Sequence, residues 1–306
     1  SRKVYSLKSG VQEAMKAQSL ADDIRSRLRL VRVAKAGASL RNFPDFLIVG
    51  PQRTGTTWLF HNLKGHPEIF LPKEKELYYF STLGMPDHRR FRFVYLEDYL
   101  QAMADTPKSS LKKSYDSLRK AGRFYRPRVR GEATASYAAL PRDVIREIAM
   151  LNPGVKAIFM IRDPIERAWS HARKDLTSGG RSPNEIDADA LSRLLFNRGQ
   201  RDLALYRTLI ENWHTFLQPG HLFVGAFDSI SSAPDRLLTA IHDFLGVAAG
   251  ERYFGRHLRN RINPAPAADI PPAVEKLLND ILQKECQDYG ELIEEIIVSG
   301  SVSRCY

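Results

Sequence analysis

The chain has 306 residues, 43% of them apolar, enough for a full core in one large α/β domain or two small ones, and its net charge of +11 points to anionic partners such as nucleotides, sulfated or phosphorylated substrates, nucleic acid or acidic membrane. Its two cysteines, Cys286 and Cys305, form no C-x-x-C spacing, which excludes a cysteine-based zinc site and fits free thiols in a reducing cytoplasm. No apolar run nears the roughly 20 residues that cross a membrane, and the N-terminus, SRKVYSLKSGVQ, is basic but lacks the apolar stretch of a signal peptide.

Residues 1–40 are basic, with Leu20, Ile24, Leu28 and Val31 at helical spacing, and read as a helical N-terminal extension to a main domain over 41–306. The chain begins with Ser rather than Met, which leaves room for an upstream anchor. Phe46–Val49 is a short apolar run ending in glycine, a buried strand, and Thr56–Leu63 begins a helix. Ile69–Leu71 is a second strand, followed by the aromatic ELYYFS of 76–81. Residues 85–130 show no clear pattern but carry twelve Lys and Arg against five Asp and Glu, a local basic surplus. Val129–Glu132 is a short strand. Arg142–Leu151 is a helix stopped by Asn152-Pro153-Gly154. Val155–Ile161 is a strong buried strand, with a helix starting at Pro164. A helix over Leu203–Leu217, a strand over Leu222–Phe227 and a helix over Pro234–Leu245 follow. The proline-rich 256–272 is a loop, and Val274–Leu282 is a final helix. Strands alternating with helices imply a central parallel sheet flanked by helices on both faces.

Two stretches carry chemistry. In Gly50-Pro51-Gln52-Arg53-Thr54-Gly55-Thr56-Thr57, the spacing of a phosphate-binding loop follows a strand and opens a helix. Backbone N–H groups of such a turn and the helix N-terminus form an anion cradle, to which Thr56 and Thr57 add hydroxyls. The lysine that reaches the β- and γ-phosphates of a nucleoside triphosphate is absent, and Thr56 stands in its place. The positive charge lies inside the loop, on Arg53, which suits one phosphate with one neighbouring anionic group better than a triphosphate. In the second stretch, Ile161 to His171 (IRDPIERAWSH), Arg162 lies at a strand's C-terminal end and Ser170 in the helix that follows. Together they offer a fork and a hydroxyl to a second phosphate.

With both stretches present, the chain resembles the sulfotransferases that use 3′-phosphoadenosine 5′-phosphosulfate (PAPS), most nearly their heparan-type and bacterial branch. PQRTGTTWL is similar to their 5′-phosphosulfate loop and IRDPIERAWS to their 3′-phosphate motif. HPEIFLPKEKELYYF (66–80), RGEATASY (130–137), YRTLIENW (206–213) and the DFLG of 243–246 add to the likeness, which spans roughly residues 43 to 290.

The resemblance implies a P-loop-like three-layer fold and in-line transfer of a sulfuryl group from PAPS to a hydroxyl, or less readily an amine, releasing PAP without a metal. It places Arg53, Thr54, Gly55, Thr56 and Thr57 on the 5′-phosphate, Trp58 near the nucleotide, and Arg162 and Ser170 on the 3′-phosphate. Arg259 and Arg261, in a basic loop, fall where relatives close over the nucleotide. Glu76 corresponds to the catalytic glutamate of the heparan-type branch. Glu74 has the same parity and would point the same way if the segment were extended.

Where heparan-type members carry a lysine in an E-K-T-P-x-Y-like stretch, this chain has Glu132-Ala133-Thr134-Ala135-Ser136-Tyr137, so a glycosaminoglycan acceptor is not implied. The basic 85–130 region falls where relatives vary with acceptor. It suggests an acidic or extended acceptor: a sugar, a peptide tyrosine, a lipid or a metabolite. A P-loop small-molecule kinase and a basic nucleic-acid-binding protein are the alternative readings. The missing lysine opposes the first, and the absence of a nucleic-acid-binding motif opposes the second.

Overall fold

In the computed structural model the described residues are 28–34, 39–176, 189, 191–193, 201–260, 262, 269–298 and 303–305. Among them are β1 (Phe46–Ile48), α1 (Thr56–Leu63), β2 (Ile69–Phe70), α2 (Leu96–Ala102), α3 (Pro107–Ala121), β3 (Val129–Ala133), α4 (Arg142–Leu151) and β4 (Lys156–Ile161). Then come α5 (Pro164–Leu176), α6 (Tyr206–His214), β5 (Leu222–Ala226), α7 (Pro234–Leu245), α8 (Pro272–Val298) and β6 (Ser303–Cys305). The strands form one sheet in the order β2-β3-β1-β4-β5-β6. The first five are parallel and β6 is antiparallel to β5.

The expected three-layer sandwich follows from side-chain alternation. Leu47, Val49, Phe159, Ile161 and Val224 enter one core cluster. Their neighbours Phe46, Ile48, Ile158, Met160 and Phe223 enter another on the opposite face. Period-2 alternation in strands apolar at both parities requires cover on both faces, and helices provide it. A third cluster joins Trp169 and Ala172 of α5 to Leu278 and Leu282 of α8.

The chain runs from β1 to β2 and β3 on one side, then crosses to β4 and β5 on the other. Ligands of open parallel sheets lie at such a switch point, outside the strands' C-terminal ends. The loops after β1, β3, β4 and β5 all open there.

Several elements differ from the sequence reading. The helix expected over 1–40 falls largely outside the described residues. Over 28–34 the chain is irregular. There the backbone N–H groups of Arg29, Leu30 and Val31 donate to the carboxylate of Glu147 on α4, at 2.7–3.2 Å. Of the expected stripe, Val31 is in the core and Leu28 lies against it, while Leu20 and Ile24 lie outside the described residues.

Residues 85–130 contain two helices. The inward residues of α3 are only Ser117 and Ala121, so no apolar stripe marks it as packed. Its ends follow local rules: Thr106 accepts from the Ser109 N–H, Pro107 occupies the first turn, and Gly122 closes it in the left-handed region. The helix expected over 203–217 is shorter, because Leu205 (φ −73°, ψ 56°) separates a 3₁₀ turn from α6. The final helix runs on to Val298 through a non-helical Leu282. Cys286 is a free thiol.

Candidate active site

The loop after β1 leaves the sheet between Ile48 and Thr56. Gly55 has φ +90°, and a Cβ there would lie 2.3 Å from the Ile230 side chain, so both conformation and space demand glycine. Arg53 also has a positive φ, +71°. The Thr54 hydroxyl donates to the Pro51 carbonyl at 2.7 Å and is fully buried. It braces the turn, which leaves only the backbone of Thr54 for a ligand. Gly55 gives α1 no side-chain cap, and no acidic residue stands in its first turn. The first-turn N–H groups of α1, including those of Thr56 and Thr57, therefore lack intrahelical acceptors and keep their pull on an anion.

The second motif folds against this loop. Arg53 Nε donates to Ser170 Oγ at 2.9 Å. Arg162 Nη1 donates to the Arg53 carbonyl at 3.3 Å, and Arg162 Nη2 pairs with Glu166 at 3.0 Å. The Arg162 guanidinium lies 4.3 Å from the centroid of the Phe227 ring, and the Tyr206 hydroxyl donates to the Arg162 carbonyl at 2.7 Å. Thus Arg53, Arg162 and Ser170, separated by 109 and 117 residues in the hydrogen-bonded pairs, share one place. Burial, and then the charges of Arg162 and Arg173, lower the Arg53 pKa from its ordinary value. Such a gathering of cations favours a bound anion.

His171, one residue past Ser170, was not singled out by sequence reasoning. It is mostly buried beside Arg53 and Arg167. Burial pushes its pKa down to about 4, against the opposing pull of Asp175, so the ring is neutral at pH 7. Its position in the Ser170 motif was the only available signal.

Glu76 lies beside the C-terminal end of β3. Its backbone N–H donates to the Ala133 carbonyl at 2.9 Å. The Leu77 N–H donates to Glu132 Oε1 at 3.3 Å and the Tyr78 N–H to Thr134 Oγ1 at 3.4 Å, so three successive residues are tied along the strand end. Among the described residues, Arg53, Glu76 and Tyr78 are the non-glycine residues with positive φ (71°, 68° and 60°). Backbone of this kind persists only where the surroundings hold it, and it concentrates at functional sites.

The Glu76 carboxylate accepts from Lys75 Nζ at 2.8 Å and from the Tyr78 hydroxyl. Burial pushes its pKa up. The charge and hydrogen bond of Lys75, the Tyr78 hydroxyl and the charge of Lys174 outweigh that, so the net shift is downward and the group is ionised at neutral pH. Burial and then Glu76 itself push the Tyr78 phenol well above its ordinary value, so it stays a donor. Lys174 is on α5, four residues past Ser170, so the end of α5 borders both the guanidinium cluster and Glu76.

The parity expected of Glu74 and Glu76 fails, because the positive φ of Glu76 breaks the extended run. Glu74 is exposed and paired with Arg92 at 2.8 Å. Glu132 stands in the sequence as one residue of the RGEATASY stretch. It is a fully buried carboxylate that accepts from the Tyr99 hydroxyl at 2.8 Å and the Thr134 hydroxyl at 2.5 Å. The signal for it was a carboxylate within an inward-facing strand. Ala133 is buried in the core, so this segment presents no cation at that position.

Trp58 is a core residue, 3% exposed, and its indole N–H donates to the Leu258 carbonyl at 3.1 Å. It anchors the 255–260 turn. Gly255 of that turn meets Asn62 so closely that a Cβ would lie 2.3 Å from Asn62 Oδ1. Arg259 is exposed on this turn, and Arg261 lies outside the described residues.

The basic region divides in two. The Arg90 guanidinium lies 5.2 Å from the centroid of the Tyr78 ring and Arg92 reaches Glu74, so the 89–92 stretch borders Glu76. Helix α3 instead packs at the β2 edge, with Lys113 4.6 Å from the Phe70 ring centroid and Lys120 Nζ donating to the Phe254 carbonyl at 2.5 Å.

Comparison with known proteins bears on the family and the fold. A family model described as "Sulfotransferase family" matches residues 44–251. The chain is 28% identical over 127 residues to the membrane-associated sulfotransferase kil1 of Dictyostelium discoideum, covering 42% of this chain and 22% of that protein. It is 23% identical over 221 residues to human heparan sulfate glucosamine 3-O-sulfotransferase 6, covering 69% of this chain and 55% of that protein. It therefore spans about a fifth to a half of these relatives' lengths. A crystal structure of a sulfotransferase from Alicyclobacillus acidocaldarius superposes with a TM-score of 0.53 at 21% identity, covering 82% of this chain and 96% of the other, which establishes the shared fold.

Proposed function

The chain belongs to the sulfotransferase family, and on that premise we propose that it transfers a sulfuryl group from PAPS to a hydroxyl-bearing acceptor and releases PAP. The observation that carries this reading is the meeting of Arg53, Ser170 and Arg162 at the N-terminus of α1. A half-buried cationic cluster beside free helix N–H groups fits a donor with two separate anionic ends. It does not fit a triphosphate, for which the loop lacks its lysine.

In this mechanism the backbone N–H groups of residues 54–57 and the Arg53 guanidinium hold the 5′-phosphate. They stabilise the charge that grows on it as the sulfur–oxygen bond breaks. Arg162 and Ser170 hold the 3′-phosphate. Glu76, ionised at neutral pH, takes the acceptor's proton as the acceptor oxygen bonds to sulfur in line with the departing PAP. Lys75 and Tyr78 orient that carboxylate. Trp58 supports the 255–260 turn, and Arg259 and Arg261 are carried as contacts closing over the nucleotide. The transfer needs no metal: the cationic side chains supply the charge, and the groups moved are a sulfuryl and a proton. The free thiol of Cys286 fits a reducing compartment such as the cytoplasm.

For the acceptor, the 89–92 stretch offers cations next to Glu76, which suits an acidic or extended molecule such as a sugar. Reversing Arg89, Arg90 and Arg92 should raise the acceptor KM and leave PAP affinity unchanged; an equal fall in PAP binding would reject this role. The donor is tested by calorimetric titration with PAP, AMP and Mg²⁺-ATP side by side. Tight PAP binding, weaker AMP binding and no response to Mg²⁺-ATP are expected. Binding of Mg²⁺-ATP without preference for PAP would overturn the donor assignment.

A further inference from the structure

Helix α3 presents an apolar stripe to solvent. Leu111 is 74% exposed, Tyr115 67% and Leu118 43%, and Phe124, just past the helix, is 69% exposed. Positions 111, 115 and 118 are spaced i, i+4 and i+7, so they lie on one face. Lys108, Lys112, Arg119, Lys120, Arg123, Arg126 and Arg128 are exposed on and just beyond the same helix. On α3 itself the single acidic residue is Asp116. Among the described residues these four make up half of the exposed large apolar side chains, the others being Leu30, Met85, Val94 and Tyr95. None of them is on the side that α3 turns inward, which carries Ser117 and Ala121, with Lys113 over the Phe70 ring of β2.

We propose that this face of α3, with Phe124, is a docking surface for an anionic lipid membrane, on which the enzyme lies peripherally. An amphipathic helix with bulky apolar residues flanked by Lys and Arg seats its apolar face at the headgroup–acyl boundary while its cations meet anionic headgroups. A soluble polyanion, whether nucleic acid or an acidic polysaccharide, would use the cations but gain little from exposed Leu111 or Phe124. That is why the lipid surface is the better match. The Arg89–Arg92 cations next to Glu76 are a separate feature. The proposal does not depend on the donor assignment, because its test reads lipid binding rather than turnover.

The experiment is co-sedimentation of the full chain with vesicles of pure phosphatidylcholine and with vesicles carrying 30% phosphatidylserine, at low and high salt. Binding to the anionic vesicles alone, weakened by salt, is expected. Two triple variants are compared, each first checked for an unchanged melting temperature. One is Leu111→Ser, Tyr115→Ser and Phe124→Ser; the other is Lys108→Glu, Lys112→Glu and Arg119→Glu. Each should lower anionic-vesicle affinity at least tenfold. A Tyr115→Trp chain should show a blue-shifted emission on the same vesicles, reporting insertion. The proposal falls if the parent chain does not bind anionic vesicles at low salt. It also falls if the serine variant binds as well as the parent, or if only the charge variant loses binding and the chain binds a soluble polyanion such as an oligonucleotide equally well, which would make α3 a polyanion site.

Discussion

The cradle at residues 50–57 and the carboxylate at residue 76 lie at the C-terminal ends of adjacent strands, β1 and β3, yet they are built in opposite ways. The cradle is short-range. A glycine turn, a helix start and one arginine within eight residues make up the proposed anion site, whose main donors are backbone. The Glu76 site is long-range. The Glu76 backbone is held by Ala133, that of Leu77 by Glu132 and that of Tyr78 by Thr134, while the Glu76 carboxylate is tuned by Lys75, Tyr78 and, from α5, Lys174. A backbone-built site tolerates loss of one side chain, whereas a site resting on one carboxylate does not.

The largest expected effect is therefore at Glu76. Glu76→Gln should cost about 10²- to 10⁴-fold in kcat, the range for a general base, with PAP affinity unchanged by calorimetry. Retained turnover would move the proton acceptor elsewhere. Glu74→Gln, on an exposed carboxylate held by Arg92, should leave turnover intact.

Arg53→Ala comes next. Losing one charge-assisted contact of about 1.5–3 kcal/mol should weaken PAP and AMP together by roughly ten- to a hundredfold. The cradle would keep measurable affinity through its backbone donors. Complete loss of binding would show that the side chain, not the backbone, builds the site.

Arg162→Ala should weaken PAP by about tenfold and AMP by clearly less. Some AMP loss is expected, because Arg162 also holds the Arg53 carbonyl in place. Equal losses for both ligands would reject its assignment to the 3′-phosphate.

The smallest effects concern tuning. As the proposed base, Glu76 must be ionised, so kcat/KM should fall as pH drops through its pKa. Lys75 and Tyr78 hold that pKa down against burial, with Lys75 the stronger of the two. Removing either should move the acid limb of the pH profile to higher pH, with Lys75→Ala shifting it further than Tyr78→Phe. A limb that stays put in both variants would mean it reports another group.

The amino-acid sequence by itself determined the five parallel strands, the strand–loop–helix turn and the two motifs read as anion-binding, but not the antiparallel β6. Those features rest on local signals: apolar runs, period-2 alternation, glycine where φ must be positive, and arginine at a strand end. It left α3 unread, because the buried side of that helix is small and polar and its apolar side faces water. The choice between Glu74 and Glu76 was equally out of reach of a parity argument, because the positive φ of Glu76 is imposed by residues 132–134 across the strand end. Tertiary structure alone brought Ser170 and Arg162 against Arg53 and placed Lys174 near Glu76. The position of one loop against another depends on strand order and helix packing, which are set by the summed burial of the whole chain rather than by any short stretch of it.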